Sequence, residues 1–174
     1  MLTNIDFSIL NFIRENFTCG FLDFLMPKIT LLGSGGIIWI LFAVIMLCQK
    51  KYRRGGIVLL IGLAIGAVLG NLIIKPIVSR PRPYELNEVV KILIGPPHGS
   101  SFPSGHTIAS STAAYIITYF NKKAGYIAVP IAILIIFSRM YLYVHFPSDI
   151  IGGLFVGLLT AYLTIKVFKR KNFI

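Results

Sequence analysis

The stretch IVLLIGLAIGAVLGNLII, residues 57–74, decides the fold class of this 174-residue chain. It contains no charged side chain and no proline. An α-helix rises about 1.5 Å per residue, so roughly 20 apolar residues cross a hydrocarbon core about 30 Å thick. A run of this length and composition therefore predicts a transmembrane helix.

Further apolar runs flank this one, and the whole chain is 56% hydrophobic with a mean hydropathy of +0.80, above the apolar share of a soluble domain. We expect spans over residues 29–48, 57–75, about 104–121, 124–143 and 147–168. Before them, residues 5–17 place apolar side chains on one face, which predicts an amphipathic helix, capped by Asn4, along the bilayer surface.

The sequence thus predicts an all-α protein. We expect a polytopic transmembrane helical bundle of five to six spans that forms a single membrane-integrated domain over residues 1–174. Within it, residues 1–28 form the N-terminal interfacial region, and residues 75–149 hold the polar residues described below.

Basic side chains gather at the ends of the apolar runs. Ten of the 17 Lys and Arg residues lie in three clusters, within residues 50–54, 122–123 and 166–171. Cytoplasmic loops of membrane proteins carry an excess of Lys and Arg, so we expect all three clusters to face the cytoplasm. The alternation of the spans then places loops 76–103 and 144–148 outside and the C-terminus in the cytoplasm. Topology explains the net charge of +11, and no nucleic-acid partner is expected.

Polar and ionisable side chains gather where the spans meet the extracytoplasmic side. Such groups are costly beside a bilayer and tend to be functional. Three sets of them fall on one face of the predicted bundle: Lys75 with Arg82, then Ser104 with Gly105 and His106, then Arg139 with His145 and Asp149. We therefore expect one shared site. Arg80, in the same loop as Arg82, is interpreted as a solvated loop charge and stays outside it.

The residue types in this shared site suit the binding of a phosphate group. Positive charge and N–H donors that suit phosphoryl oxygens come from Lys75, Arg82 and Arg139. Ser104 fits the N-cap position of a helix. Its first turn would offer the backbone N–H groups of Gly105 and His106 to an anion, because helix N-termini carry unpaired donors and a positive dipole end.

The residue types also suit nucleophilic attack on the phosphorus atom of that group. His145 and Asp149 are four residues apart, so Asp149 can accept the ring N–H of His145 and leave its other nitrogen free to attack. His106 is then available to protonate the departing oxygen and later to activate water. Asp149 is the one acidic residue in the expected site, and no cluster of His or Cys is evident, so we expect no metal and no cofactor.

Three motifs in the central part of the chain carry a resemblance to a known family. In order, they read Lys75-x6-Arg82-Pro83, Pro103-Ser104-Gly105-His106 and Ser138-Arg139-x5-His145-x3-Asp149. With all three complete, the chain resembles the type 2 phosphatidic acid phosphatase superfamily, which also includes vanadium haloperoxidases. The resemblance implies a helical bundle, a phosphohistidine intermediate on His145, protonation of the leaving group by His106 and orientation of His145 by Asp149. It implies phosphate binding by Lys75, Arg82, Ser104, Gly105 and Arg139.

The resemblance implies a metal-independent lipid phosphatase whose partners are a membrane lipid substrate and the bilayer. The small bacterial members of the family and an outward-facing site favour undecaprenyl diphosphate as the substrate. Phosphatidylglycerophosphate, phosphatidate and lipid A remain open. A lipid or sugar hydroxyl in place of water would make the protein a lipid phosphotransferase. A non-catalytic lipid-binding or transport protein is a third hypothesis, against which the complete motifs weigh.

Overall fold

The computed structural model describes residues 2–87 and 89–174, and these two ranges contain helices and no β-strand. The helices are α1 (Leu2–Phe17), α2 (Gly20–Gly33), α3 (Ile37–Cys48), α4 (Arg53–Ala67), α5 (Lys75–Val78), α6 (Pro83–Leu86), α7 (Gly105–Phe120), α8 (Lys122–Tyr141) and α9 (Pro147–Arg170). A 3₁₀ turn over Ser34–Gly36 separates α2 from α3, and a π-helical segment over Val68–Ile74 joins α4 to α5. The predicted all-α class is confirmed.

Four segments are long and apolar enough to cross a membrane: Gly20–Cys48, Arg53–Leu86, Lys122–Tyr141 and Pro147–Arg170. Helix α7 has only 16 residues and lies at the centre of the bundle, against α4, α8 and α9. Its neighbours cover most of its surface, so it carries buried Ser and Thr side chains that a lipid-facing helix would not favour. The transmembrane helical bundle is confirmed, and the total of five to six spans stays a prediction.

Glycines allow α4 and α9 to approach α7 closely. A Cβ atom on Gly66 of α4 would lie 2.9 Å from the side chain of Ile108, and one on Gly157 of α9 would lie 2.7 Å from the backbone oxygen of Ile108. At the same place Thr112 donates its hydroxyl to the carbonyl of Gly157 at 3.0 Å. Close backbone packing of this kind joins helices in lipid, where hydrophobicity alone does not.

The three basic clusters meet at one end of the bundle. The Cζ atom of Arg54, at the start of α4, lies 5.8 Å from the ring centre of Phe173, which follows α9. The Nζ atom of Lys169, at the end of α9, lies 5.1 Å from the ring centre of Tyr119, at the end of α7. The opposite ends of these helices, which carry the predicted site residues, therefore converge at the other end of the bundle. Which end faces the cytoplasm stays a prediction.

The N-terminal region differs from the prediction in two places. The first segment that is long and apolar enough to cross a membrane begins at Gly20, before the predicted start of the span at residue 29, so it includes the last part of the region 1–28. Helix α1 begins at Leu2, so Asn4 lies in its first turn and is not its cap. Gly35 and Gly36 separate α2 from α3 with φ angles of +59° and +73°, a left-handed conformation that glycine adopts without steric cost.

The early start of α2 was missed because charged residues interrupt the apolar pattern between residues 20 and 28. The structure gives both charges a partner. Asp23 accepts the hydroxyl of Tyr141 at 2.6 Å, and the Nζ atom of Lys28 lies 3.2 Å from the ring centre of Phe24. Such pairing lowers the cost of holding charge beside lipid, so a helix can run through these residues.

Helix α1 packs on the bundle along one side and leaves another apolar side uncovered. Leu10 and Ile13 are buried against the rest of the chain, whereas Ile5 and Phe12 are 53% and 57% exposed. A helix with one face on protein and a second apolar face uncovered suits the bilayer surface. Its interfacial position stays a prediction.

Candidate active site

The converging helix ends enclose a cavity of about 330 Å³. Six of the eight predicted site residues line it: Lys75, Arg82, Gly105, His106, Arg139 and His145. The other two, Ser104 and Asp149, are fully buried, and the backbone N–H of Ser104 donates to the carbonyl oxygen of Asp149 at 3.2 Å. This bond joins the beginnings of α7 and α9. The structure thus brings together all three motifs that the sequence singled out.

His145 lies in the short loop between α8 and α9, and only 2% of its surface is exposed. Burial lowers the pKa of His145 to about 3, and the guanidinium groups of Arg139 and Arg82 act in the same direction, against the effect of Asp149. The imidazole is therefore neutral at neutral pH. Its Nε2 lies 3.4 Å from Nη1 of Arg82. Since a guanidinium can only donate, this contact favours a proton on Nδ1 and a lone pair on Nε2.

The carboxylate of Asp149, in the first turn of α9, is held by several donors. Its Oδ2 accepts the backbone N–H of Phe146 at 2.8 Å and the hydroxyl of Ser101, and its Oδ1 accepts Nη1–H of Arg80 at 2.7 Å. Nδ1 of His145 lies 3.5 Å from Oδ2, longer than the roughly 2.7–3.2 Å of an N–H···O bond. The pairing predicted from the sequence is therefore a close approach, because two other donors already bind Oδ2.

Arg82 is buried and holds two loops together at the edge of the cavity. Its Nε donates to the carbonyl of Gly99 at 3.0 Å, its Nη2 to that of His98 at 3.2 Å and its Nη1 to that of Val144 at 2.9 Å. The guanidinium therefore fixes the backbone directly before His145. The sequence assigned Arg82 to phosphate binding alone, and this bracing of the loops carries no sequence signal.

Arg139, near the end of α8, keeps donors available beside His145. The side chain is buried, and its Nη1 donates to the hydroxyl of Thr30 in α2. Its Nε has no hydrogen-bond partner within residues 2–87 and 89–174. Arg139 lines the cavity, and a buried guanidinium with an unpaired N–H favours an anion as its neighbour.

The beginning of α7 has the geometry predicted for it. Ser104 is the N-cap, and its hydroxyl accepts the backbone N–H of Thr107 at 3.4 Å. Gly105 lets two polar side chains approach this turn closely: a Cβ atom there would lie 3.3 Å from Oδ1 of Asn71 and 3.9 Å from Nζ of Lys75. The Lys75 ammonium therefore lies next to the N–H groups of the first helical turn, where anions are favoured.

The ring of His106 faces the cavity and contacts α2. Its Nε2 lies 3.2 Å from the backbone oxygen of Thr30. A Cβ atom on Gly33 would lie 2.7 Å from Cδ2 of the same ring, so the imidazole fits against a position where only glycine leaves enough room. Neither Thr30 nor Gly33 was a predicted site residue, because no motif or spacing connects them with His106.

The prediction that Arg80 is a solvated loop charge is wrong, because two carboxylates bind it. Its Nη1 and Nη2 form ion pairs at 2.7 Å with Asp149 and with Asp6 of α1, and its side chain is 21% exposed. The alternating Arg-Pro-Arg-Pro run at 80–83 holds two arginines with different partners. Sequence alone could not separate them, since the carboxylates that bind Arg80 are 69 and 74 residues away.

The ionisable side chains on the cavity wall are cations and imidazoles. Within the part of the chain that the structure describes, no group of three or more His, Cys, Asp or Glu side chains could hold a metal ion. The positive charges of Lys75, Arg82 and Arg139 surround the space in front of His145. An anion with several oxygen atoms suits such a wall.

Fold and site together define a multi-pass membrane protein with a cation-lined cavity for an anionic group. A sequence profile of the PAP2 superfamily matches residues 55–173, and the chain belongs to this superfamily. The resemblance seen in the three motifs is thereby confirmed.

Two relatives and one solved structure show how close the similarity is. The chain is 32% identical over 131 residues to an undecaprenyl-diphosphatase of Sulfolobus acidocaldarius, covering 75% of this chain and 63% of that protein. It is 33% identical over 165 residues to phosphatidylglycerophosphatase B of Bacillus subtilis, covering 86% and 76%. The crystal structure of a transmembrane PAP2 type phosphatidylglycerolphosphate phosphatase from Bacillus subtilis has a TM-score of 0.77 and 28% identity, covering 97% of this chain and 86% of that one. All three are named as phosphatases, and the chain shares their superfamily and fold.

Proposed function

We propose that the protein removes phosphate from a membrane lipid phosphate or diphosphate, with His145 as the nucleophile. The observation that carries the proposal is the neutral, buried imidazole of His145 at the wall of a cavity lined by Lys75, Arg82 and Arg139. A neutral imidazole offers a lone pair, and the surrounding cations offset the charge of the phosphoryl oxygens in transfer. The proposal requires both the imidazole of His145 and the surrounding cations.

The reaction would take place in two displacements at phosphorus. In the first, Nε2 of His145 forms a bond to phosphorus while the bond to the lipid oxygen breaks, and His106, in its cationic form, donates a proton to that oxygen and becomes neutral. The imidazole becomes cationic, and the Asp149 carboxylate, 3.5 Å from Nδ1, stabilises it. In the second, His106 takes a proton from water, the water oxygen bonds to phosphorus, and the P–N bond breaks to release inorganic phosphate.

The N-terminus of α7 would bind the transferred group together with the cations. Gly105 and His106, whose backbone N–H groups belong to the first turn, line the same cavity as Lys75, and Ser104 fixes that turn by capping it. Arg139, which also lines the cavity, adds a further positive charge. These groups would stabilise the charge that spreads over the phosphoryl oxygens in the transition state.

A lipid is supported as the substrate by the other half of the same cavity. Away from the cations the wall consists of Ile40 of α3 and Leu63 and Ala67 of α4, all within the apolar segments. An apolar chain could lie there while its phosphate reaches His145. A second cavity of about 720 Å³ shares Asn71, Lys75 and His98 with the first and has room for a larger head group.

Among lipids we favour an isoprenoid diphosphate such as undecaprenyl diphosphate. The similarity to proteins of that name supports this choice, and the similarity to phosphatidylglycerophosphatase B keeps phosphatidylglycerophosphate as the alternative. Phosphatidate and lipid A are also alternatives, the latter through the similarity to lipid A 1-phosphatase of Rhizobium johnstonii. The basic clusters at the opposite end of the bundle support a site that faces the extracytoplasmic side, with the C-terminus in the cytoplasm.

The experiment is phosphate release by the purified protein in detergent, without added metal, from these four lipids. The wild type should release phosphate fastest from undecaprenyl diphosphate, and His145→Ala should release none. With lipid labelled in its terminal phosphate, a rapid quench in alkaline denaturing detergent should trap label on the wild-type protein that is stable in alkali and released by acid. Release from another lipid alone would contradict the substrate choice, and an active His145→Ala variant would contradict the mechanism. Label in an organic-soluble product would indicate a phosphotransferase.

A further inference from the structure

Arg80 connects the carboxylate behind the nucleophile with the N-terminal helix. Its Nη1 lies 2.7 Å from Oδ1 of Asp149, and its Nη2 lies 2.7 Å from Oδ2 of Asp6 in α1. Its Cζ atom is 4.0 Å from the ring centre of Phe146, the residue that follows His145. One guanidinium thus bridges two carboxylates and lies on the ring next to the nucleophile. These contacts fix the orientation of the Arg80 side chain and balance its charge.

Asp6 is held as firmly as Arg80. Its carboxylate is buried, with Oδ1 accepting the backbone N–H of Ser148 at 2.9 Å and Oδ2 accepting the hydroxyl of the same residue at 2.5 Å. Ser148 is the second residue of α9, so Asp6 binds an N–H group that the helix itself cannot pair. Close by, the ring of Phe7 packs edge-on against Phe146, with 5.2 Å between the ring centres.

The two carboxylate oxygens of Asp149 have different partners, and this difference connects Arg80 with the proposed reaction. Oδ2 faces His145 and binds Ser101 and Phe146, while among the described residues only Arg80 binds Oδ1. Without Arg80 a fully buried carboxylate would lose its ion pair and one of the contacts that fix its plane. The carboxylate could then rotate away from Nδ1 of His145, and a buried, unpaired charge is costly.

We infer that Arg80 is a positioning residue for Asp149, and that Asp6 of α1 in turn positions Arg80. The N-terminal helix therefore contributes to the arrangement of the active site. The inference rests on the proposed function, since it assumes that Asp149 stabilises the imidazolium of His145. Arg80 does not touch the reacting atoms. Its removal acts on the rate of phosphoryl transfer and leaves the groups that bind the substrate phosphate in place.

The test compares kcat and KM for phosphate release from undecaprenyl diphosphate and phosphatidylglycerophosphate, using the full chain in detergent. The variants are Arg80→Ala, Arg80→Lys and Asp6→Asn. Matched controls on α1 are Arg14→Ala and Glu15→Gln, which change exposed charges of the same kinds. Each preparation is first checked for a cooperative thermal unfolding transition, and His145→Ala is assayed in parallel.

Arg80→Ala should lower kcat about 10- to 100-fold, the usual effect of removing a partner that orients a site residue, with KM changed by less than about threefold. Added guanidinium or methylguanidinium chloride, at tens of millimolar, should restore part of this kcat, because the side chain reaches the second cavity, which opens to solvent. Asp6→Asn should lower kcat less and should not respond to guanidinium, since Arg80 still occupies its place. Arg80→Lys should be intermediate, because one ammonium cannot bridge both carboxylates.

If Arg80→Ala does not fold, Arg80→Lys and Asp6→Asn decide the matter by the same kcat and KM comparison. Wild-type kcat in these variants, beside an inactive His145→Ala, would overturn the inference and leave the proposed function intact. A loss of kcat that guanidinium does not restore, together with an equal loss in the two α1 controls, would also overturn it, as an effect on folding. No phosphate release by the wild type would instead contradict the proposed function.

Discussion

Nε2 of His106 lies 3.2 Å from the backbone oxygen of Thr30, although 76 residues separate them. The hydroxyl of the same threonine accepts Nη1–H of Arg139. One residue of α2 therefore contacts both the proposed proton donor and a proposed phosphate ligand. Helix α2 is part of the site even though the three motifs begin only at Lys75.

Thr30→Val should lower kcat/KM for phosphate release about tenfold. The substitution keeps the shape and the backbone oxygen and removes only the hydroxyl, so the buried Arg139 loses an acceptor worth about 1–3 kcal/mol. The matched control is Thr160→Val, because Thr160 is also buried but bonds the carbonyl of Val156 within α9 at 2.7 Å. Steady-state phosphate release in detergent measures both variants, and an equal effect in the two would contradict the assigned role.

Asp149→Asn should lower kcat by about four orders of magnitude, as replacing the acid of a His–Asp pair does elsewhere. The amide is isosteric, and its oxygen can still accept the backbone N–H of Phe146, so α9 should keep its beginning. It cannot balance the positive charge of His145 after attack. Asp23→Asn serves as the control, since Asp23 pairs with Tyr141 away from the cavity. Near-normal turnover in Asp149→Asn would show that the 3.5 Å approach to His145 has no catalytic role.

Protonation of His145 should make the folded state less stable in acid. Its pKa is about 3 in the fold, because of burial, and about 6.5 in the unfolded chain. Between these values the unfolded chain binds more protons at this residue, so the free energy of unfolding decreases as pH falls from about 7 to 4. His145→Gln should therefore lose less thermal stability than the wild type over this range.

Thermal unfolding in detergent, followed through the fluorescence of the buried Trp39, measures the pH effect. His98→Gln is the matched control, since His98 is exposed in its loop and should keep the wild-type dependence on pH. The same pH dependence in His145→Gln and in the wild type would contradict the lowered pKa.

The sequence was informative where the decisive contacts are local. His145 and Asp149 are four residues apart at the beginning of a helix, and Ser104 caps the helix that it precedes, so spacing alone predicted the approach of Asp149 to His145 and the cap at Ser104. The apolar runs are also local features of the sequence, so they predicted the transmembrane helical bundle. The start of α2 was not predicted, because the pairing of Asp23 with Tyr141 joins residues 118 positions apart.

Most of the contacts that complete the site join residues that are distant in sequence. Arg80 meets Asp6 across 74 residues, and Thr30 meets Arg139 across 109. No periodicity or motif connects such pairs, because they depend on how the helices pack. The 3.5 Å gap at Asp149 was equally out of reach, since it results from competition by Ser101 and Phe146 for one oxygen. Sequence identified the reacting groups, and the structure was needed to find what holds them.

Close packing of α9 on α7 provides a last test, because it supports the site from behind. A Cβ atom on Gly157 would lie 2.7 Å from the backbone oxygen of Ile108, and backbone cannot move aside as the end of a side chain can. Gly157→Ala should therefore lower the free energy of unfolding by about 1–3 kcal/mol, the usual cost of overpacking.

The same substitution should lower activity, since pushing α9 from α7 strains the backbone bond between Ser104 and Asp149, now 3.2 Å long. Gly20→Ala is the matched control: Gly20 begins α2, no heavy atom lies within 4 Å of its Cβ position, and alanine is the better helix former. Thermal unfolding and phosphate release, measured on the same preparations, should both fall for Gly157→Ala and stay unchanged for Gly20→Ala. If Gly157→Ala unfolds like the wild type, α9 does not depend on a backbone-to-backbone contact with α7 to hold Asp149 in place.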